Sequence, residues 1–170
     1  MGEIISGKVL SKEIREQVRI EVEELKEKYQ TVPHLVVILI GEDPASQSYV
    51  KSKKRACIKA GMRSTVILKE DTISEEEVLS LIDDLNKDDD VHGILVQLPV
   101  PKHIDENRIL LAVDPAKDVD GFHPQSVGRM VLGLPSFISA TPLGIVELLK
   151  RYKVPTEGKT CVVVGRSNIV

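Results

Sequence analysis

The stretch HLVVILIG, residues 34–41, followed closely by PASQSYVKSKKRACIKAGM, residues 44–62, decides how this chain folds. The first segment is a continuous apolar, β-branched run without polar alternation, the pattern of a strand buried on both faces. The second opens with a proline where the first turn of a helix tolerates one, and it closes on Gly61, where a helix stops. On that helix Tyr49 and Lys53 stand four residues apart and share one face. Open α/β sheets bind their ligands beyond the carboxyl ends of their strands, and this helix starts just past such an end. A phenol beside an amine at that place is a candidate acid–base site. The alternative is that KSKKR, residues 51–55, is simply a solvated basic face.

Outward from this pair, strand patterns alternate with helix patterns. Ser11 can cap a helix that runs to about Tyr29, with Ile14, Val18, Val22 and Leu25 as its apolar stripe. A strand is expected over residues 63–69. Ser74 with Glu77 forms a capping box for a helix through about Asn86, with Val78, Leu79, Ile82 and Leu85 inward. Residues 91–98 read as a buried strand broken by Pro99 and Pro101, and a short helix follows over 105–113. The span 114–140 is rich in Gly, Pro and polar residues and reads as a loop, long enough to suggest function. Thr141-Pro142 opens a helix to about Tyr152 with Ile145, Leu148 and Leu149 inward. Residues 159–165, KTCVVVG, form a last strand. The alternation implies an α/β fold: an N-terminal three-layer αβα domain with a mainly parallel sheet over 1–140, then, over 141–170, a linker helix and the first strand of a Rossmann-like NAD(P)-binding domain. The last strand has neither a covering helix nor a partner after it, so the sequence is expected to stop inside that second domain.

Composition narrows the function classes. Over 170 residues the apolar content of 42% and charged content of 29% belong to an ordinary globular protein. A net charge of −3 gives no footprint for nucleic acid or an anionic membrane. Aromatic content of 3%, without tryptophan, argues against base-stacking platforms. No apolar run approaches a membrane span, and the N-terminus lacks the regions of a signal peptide, so the cytoplasm is the expected location. Cys57 and Cys161 read as small buried residues rather than a disulfide scaffold.

Three further elements can converge on the Tyr49–Lys53 face. Gln97 sits at the carboxyl end of a buried strand; its amide serves either the site or the loop backbone. In KDVDGFHP, residues 117–124, Gly121 permits a tight turn, and Asp118 and Asp120 lie two apart, so that one can face a cleft while the other faces backbone; an Asx-turn is the simpler alternative. His123 has no second ligand at a recognisable spacing, which disfavours a metal site. The terminal Gly165-Arg166-Ser167 stands where a strand ends and a helix should begin, a place for a phosphate, with Arg166 able to grip a 2′-phosphate and so favour NADP.

Together YVKSK (residues 49–53), GILVQLP (93–99), KDVDGFHP (117–124), TPLG (141–144) and VGRSNIV (164–170) resemble, in order and spacing, the bifunctional methylenetetrahydrofolate dehydrogenase–cyclohydrolase family. The resemblance covers essentially the whole chain. It departs at Ser139-Ala140, where the family usually has Pro-Cys, and most of the cofactor domain is absent. It implies a folate site in the cleft between a catalytic domain and an NADP domain, with tetrahydrofolate derivatives as substrates, NADP as cofactor and a homodimer as assembly. Lys53 would be the acid–base residue, with Gln97 hydrogen-bonding it; Tyr49 would pack on and orient the folate, and Asp120 would hold the pterin. Gly165, Arg166 and Ser167 would contact NADP. An amine held beside a cationic product and partly out of water is more readily neutral, as a base must be, whereas arginine could not serve. A folate enzyme with only one of the two activities, related dehydrogenases of amino or hydroxy acids, and a non-catalytic folate-binding or interaction module are the alternatives.

Overall fold

The computed structural model describes residues 4–165. Helix α1, Gly7–Tyr29, starts earlier than the Ser11 reading, because Ser6 takes the cap and its side chain accepts from Val9 N. Along its expected stripe Val22 is buried but Leu25 is 40% exposed, so α1 lies on the outside of the molecule. Strand β1, His34–Ile40, and helix α2, Pro44–Lys59, match the deciding stretch. Asp43 caps α2, its carboxylate accepting from Ser46 N at 2.7 Å. Gly61 follows at φ +79°, and a Cβ there would meet Val22 Cγ1 of α1 at 3.3 Å, so it serves both as helix stop and as close approach.

Strand β2, Arg63–Lys69, and strand β3, Gly93–Val96, flank β1 in the parallel order β2-β1-β3. His34 pairs with Arg63, and Ile38 stands between Ile67 and Val96. The period of two then sorts the side chains. Val36, Ile38, Ile40, Ile94 and Val96 face one side, covered by helices α3, Glu75–Lys87, and α4, Glu106–Ala112, through Val78, Ile82 and Ile109. Val37, Leu39 and Leu95 face the other, against Val50 of α2. The outcome is helix, sheet, helix, with the core on both sheet faces. The capping box of α3 forms in both directions, Ser74 Oγ accepting from Glu77 N at 3.2 Å and Glu77 Oε2 from Ser74 N at 3.0 Å.

Three expectations are corrected. Residues 114–140 are not loop throughout: helix α5, Pro124–Val131, lies inside them, with Pro124 in its first turn and His123 Nδ1 capping Gln125 N. It buries only Ser126 among the described residues; its apolar residues Val127, Met130 and Val131, at i, i+3 and i+4, are exposed. Helix α6, Ala140–Arg151, forms as expected but buries no residue, and Ile145 is 52% exposed. It is tied to α1 by Ser6 N donating to Tyr152 Oη at 3.1 Å and Arg151 Nη2 donating to Gln17 Oε1 at 2.8 Å. Residues 160–165 form no strand: among the described residues no strand runs alongside them, and Val164 is 96% exposed. A parallel strand exists only through its neighbour's hydrogen bonds. Of the two free cysteines, Cys57 is half-buried, its thiol pushed up by burial, and Cys161 is exposed. No described helix is long and apolar enough to cross a membrane.

Candidate active site

At the carboxyl end of β3 a cavity of about 330 Å³ opens between the sheet, α2 and the start of α6. Leu95, Val96, Gln97 and Leu98 form its floor, Lys53 one wall, Asp120 and Phe122 another, and Ser139, Ala140 and Thr141 the third. Residues scattered over almost 90 positions thus meet because a parallel sheet gathers strand ends on one edge.

Lys53 and Gln97 meet directly. The amine Nζ donates to Gln97 Oε1 at 3.2 Å. The amide is oriented from its other end, where Gln97 Nε2 donates to Leu98 O at 2.7 Å. Gln97 N also continues the ladder, donating to Ile38 O at 2.9 Å, so the side chain is aimed by sheet backbone. The Leu98–Pro99 peptide bond is cis.

The two aspartates of KDVDG part company. Asp118 is buried, and its carboxylate accepts from Gly121 N at 3.1 Å, Phe122 N at 3.3 Å, His123 N at 2.9 Å and Ser126 Oγ at 2.8 Å. It is the organising centre of the turn, and its strand-like bridge to Ile94 fixes that turn to β3. Gly121 sits at φ +68°, and a Cβ there would come within 2.9 Å of Phe137 O, so only glycine fits. Asp120, presented by the same turn, accepts no hydrogen bond among the described residues and faces the cavity. Burial pushes its carboxyl above the ordinary range; the Lys53 charge pulls it back and the Asp118 charge raises it further. A half-buried carboxylate left without protein partners is open to a ligand that brings donors.

Tyr49, one turn before Lys53 on α2, is 64% exposed and does not line this cavity. Gly165 lies in the exposed tail with open space around it, and Arg166 and Ser167 lie outside the described residues. The described residues by themselves therefore build no dinucleotide cradle. Phe122, Ser139 and Thr141 line the site without having been singled out from the sequence. The signal available for them was adjacency: Phe122 follows Gly121, and Ser139 and Thr141 bracket the Ala140 position where the family departure lies. Among the described residues no group of three or more His, Cys, Asp or Glu is placed to hold a metal.

Fold and site together define an α/β protein with an amine, a carboxamide and an unpartnered carboxylate around one cavity at the carboxyl edge of a parallel sheet. Residues 5–120 match the family described as tetrahydrofolate dehydrogenase/cyclohydrolase, catalytic domain, and residues 139–170 match its NAD(P)-binding domain. The chain belongs to this family. It is 56% identical over 169 residues to the bifunctional protein FolD of Prosthecochloris aestuarii, covering 98% of this chain and 57% of that protein. The structure of the bifunctional enzyme FolD, methylenetetrahydrofolate dehydrogenase/cyclohydrolase, from Campylobacter jejuni superposes with a TM-score of 0.96 at 48% identity, over 99% of this chain and 60% of that one. The Trypanosoma brucei methylenetetrahydrofolate dehydrogenase-cyclohydrolase, solved with NADP and an inhibitor, gives 0.85 at 29% identity over 90% of this chain and 52% of its own. The chain thus spans under two thirds of the length of these relatives.

Proposed function

We propose that this chain carries the folate site of a one-carbon enzyme that oxidises 5,10-methylenetetrahydrofolate to the methenyl form with NADP and hydrolyses that product to 10-formyltetrahydrofolate. One observation carries the reading: an oriented Lys53–Gln97 pair and an unpartnered Asp120 share one cavity. A pterin presents an N–H and an amino group side by side, and a single carboxylate can accept from both, as it would from a guanidinium. Asp120 is the residue for that grip. The methenyl product is a cation, and water adding to it must lose a proton. Lys53, held at Gln97, is the group placed to accept that proton in this reading. Gln97 accepts one amine hydrogen and so directs the remaining valences without placing a negative charge beside the base. Tyr49, exposed one helical turn before Lys53 and outside the cavity lining, is assigned to the substrate rather than to the base.

In this reading Gly165, Arg166 and Ser167 would hold NADP, which would supply the hydride acceptor for the methylene carbon. We divide the chain accordingly into residues 1–140, which hold the chemistry, and 141–170, which lead into the cofactor domain. A homodimer in the cytoplasm belongs to the same proposal. A folate enzyme that retains only one of the two activities, or a chain that only binds folate, is the second reading.

Absorbance-monitored turnover separates these. Consumption of methenyltetrahydrofolate by this chain, lost in Lys53→Met, supports the hydrolase half. NADPH formation from methylenetetrahydrofolate supports the whole reaction, and an NAD-supplied arm tests the Arg166 assignment. Folate binding with neither turnover leaves a binding module.

A further inference from the structure

We infer that the cleft between the first turns of α1 and the end of α2 binds a small linear polyanion, a chain of phosphates or carboxylates. Lys8, Lys12 and Arg15 stand at i, i+4 and i+7 on α1 and therefore form one stripe. Lys59, the last residue of α2, faces the same space. With Glu16 they line an open cavity of about 460 Å³ that shares no residue with the Lys53 cavity.

The four cations are not engaged by protein groups. Among the described residues none of them makes an ion pair or donates a side-chain hydrogen bond. Elsewhere Arg19, Arg63, Lys87, Arg108 and Arg151 are each matched to a carboxylate, while other unmatched cations such as Lys26 and Lys28 stand outside this concavity; what sets the four apart is that they share it. The single carboxylate in the cleft is already taken, since Glu16 accepts from Arg19 Nε and Nη2. In a chain with 26 acidic and 23 basic residues, four unmatched cations around one concavity are a local excess of positive charge. Helix stability does not explain it. Cations near a helix start oppose the dipole, and the first turn of α1 holds no acid, whereas that of α3 holds Glu75, Glu76 and Glu77.

Size and donor chemistry set the ligand class. Seven residues of helix separate Lys8 from Arg15, about 10 Å of axis. One monovalent ion cannot engage both ends, while two or three linked anionic groups span them. Arg15 offers a planar fork for one group and the lysines offer point charges for the others. The site is separate from the proposed catalytic cavity, and its test reads binding rather than turnover.

Calorimetric titration of the whole chain at low salt, with sodium tripolyphosphate in one arm and triglutamate in the other, tests the assignment. Saturable binding of at least one probe is expected, weakening as salt rises. The double variant Lys12→Glu/Arg15→Glu should weaken it by about tenfold or more. The matched control Lys26→Glu/Lys28→Glu, at the far end of α1, should leave it unchanged. Lys59→Gln, on the other helix, should weaken it several-fold and keeps the test open if the double variant fails to fold by circular dichroism. The preferred arm identifies the source as phosphate or carboxylate. Absence of saturable binding to both probes, or equal loss in the α1 variant and its control, overturns the assignment.

Discussion

The two faces of the sheet are built for different ends. The face under α3 and α4 is closed and apolar, with Val36, Ile38, Ile82, Ile94 and Ile109 among its most deeply buried side chains. The face under α2 buries only Val37, Leu39, Val50 and Leu95, and gives way at its carboxyl edge to a cavity holding an amine, an amide and a carboxylate. Polar groups held out of water cost stability unless they are satisfied, so a fold that keeps an unpartnered carboxylate must gain its stability elsewhere. Asp118 and Asp120 repeat the division within one turn: the first is saturated by protein donors, while the second accepts no hydrogen bond among the described residues and faces the cavity. The larger apolar cluster lies on one face of the three strands, and the candidate site lies at their carboxyl edge.

Substitutions on each face can break or sharpen this division. The largest effect is expected from Lys53→Met, which should cut methenyltetrahydrofolate hydrolysis roughly 10²–10⁴-fold while the denaturation midpoint stays put; a stability loss as large as the activity loss would erase the contrast. On the closed face Ile82→Ala should cost about 2–5 kcal/mol by urea denaturation, with folate affinity of the folded protein unchanged. Asp118→Ala strands three backbone donors and a hydroxyl, and should cost about 2–3 kcal/mol and also weaken folate binding, because the turn it organises presents Asp120.

Asp120→Asn should do the opposite to stability. The folded protein raises the Asp120 pKa, so the stabilisation from its protonated form is complete below the unfolded value and is lost as pH rises through the folded one. The neutral amide escapes that loss, so this variant should be as stable as the parent at low pH and more stable at neutral pH, while folate binding falls. Urea midpoints from acid to neutral pH decide the sign. Val163→Ser, in the exposed tail, should change stability by about 0.5 kcal/mol or less.

Legibility in the sequence followed the range of the forces involved. The run over residues 34–41, the Pro44 and Gly61 boundaries of α2 and the Ser74–Glu77 capping box are short-range signals, and each forms within a few residues of where the pattern placed it. Helix α5 escaped because its short apolar repeat, Val127, Met130 and Val131, is set among Gly121, Pro124, Gly128, Gly133 and Pro135, the composition of a loop. The strand over 159–165 was misread because β-branched residues report a preference for extension, and only a neighbour turns extension into a strand.

The site divides along the same line. The sequence by itself determined which chemical groups are available: an amine one helical turn from a phenol, an amide at a strand end, two carboxylates just before a glycine. Only the tertiary structure decided which of them meet. It set Lys53 on Gln97, left Tyr49 exposed outside the cavity lining, turned Asp118 into the hub of its own loop and left Asp120 facing the cavity. The physical reason is that side-chain identity and local backbone preference act over a few residues. Burial and partnership depend instead on where a parallel sheet brings its strand ends, and no window of sequence contains that.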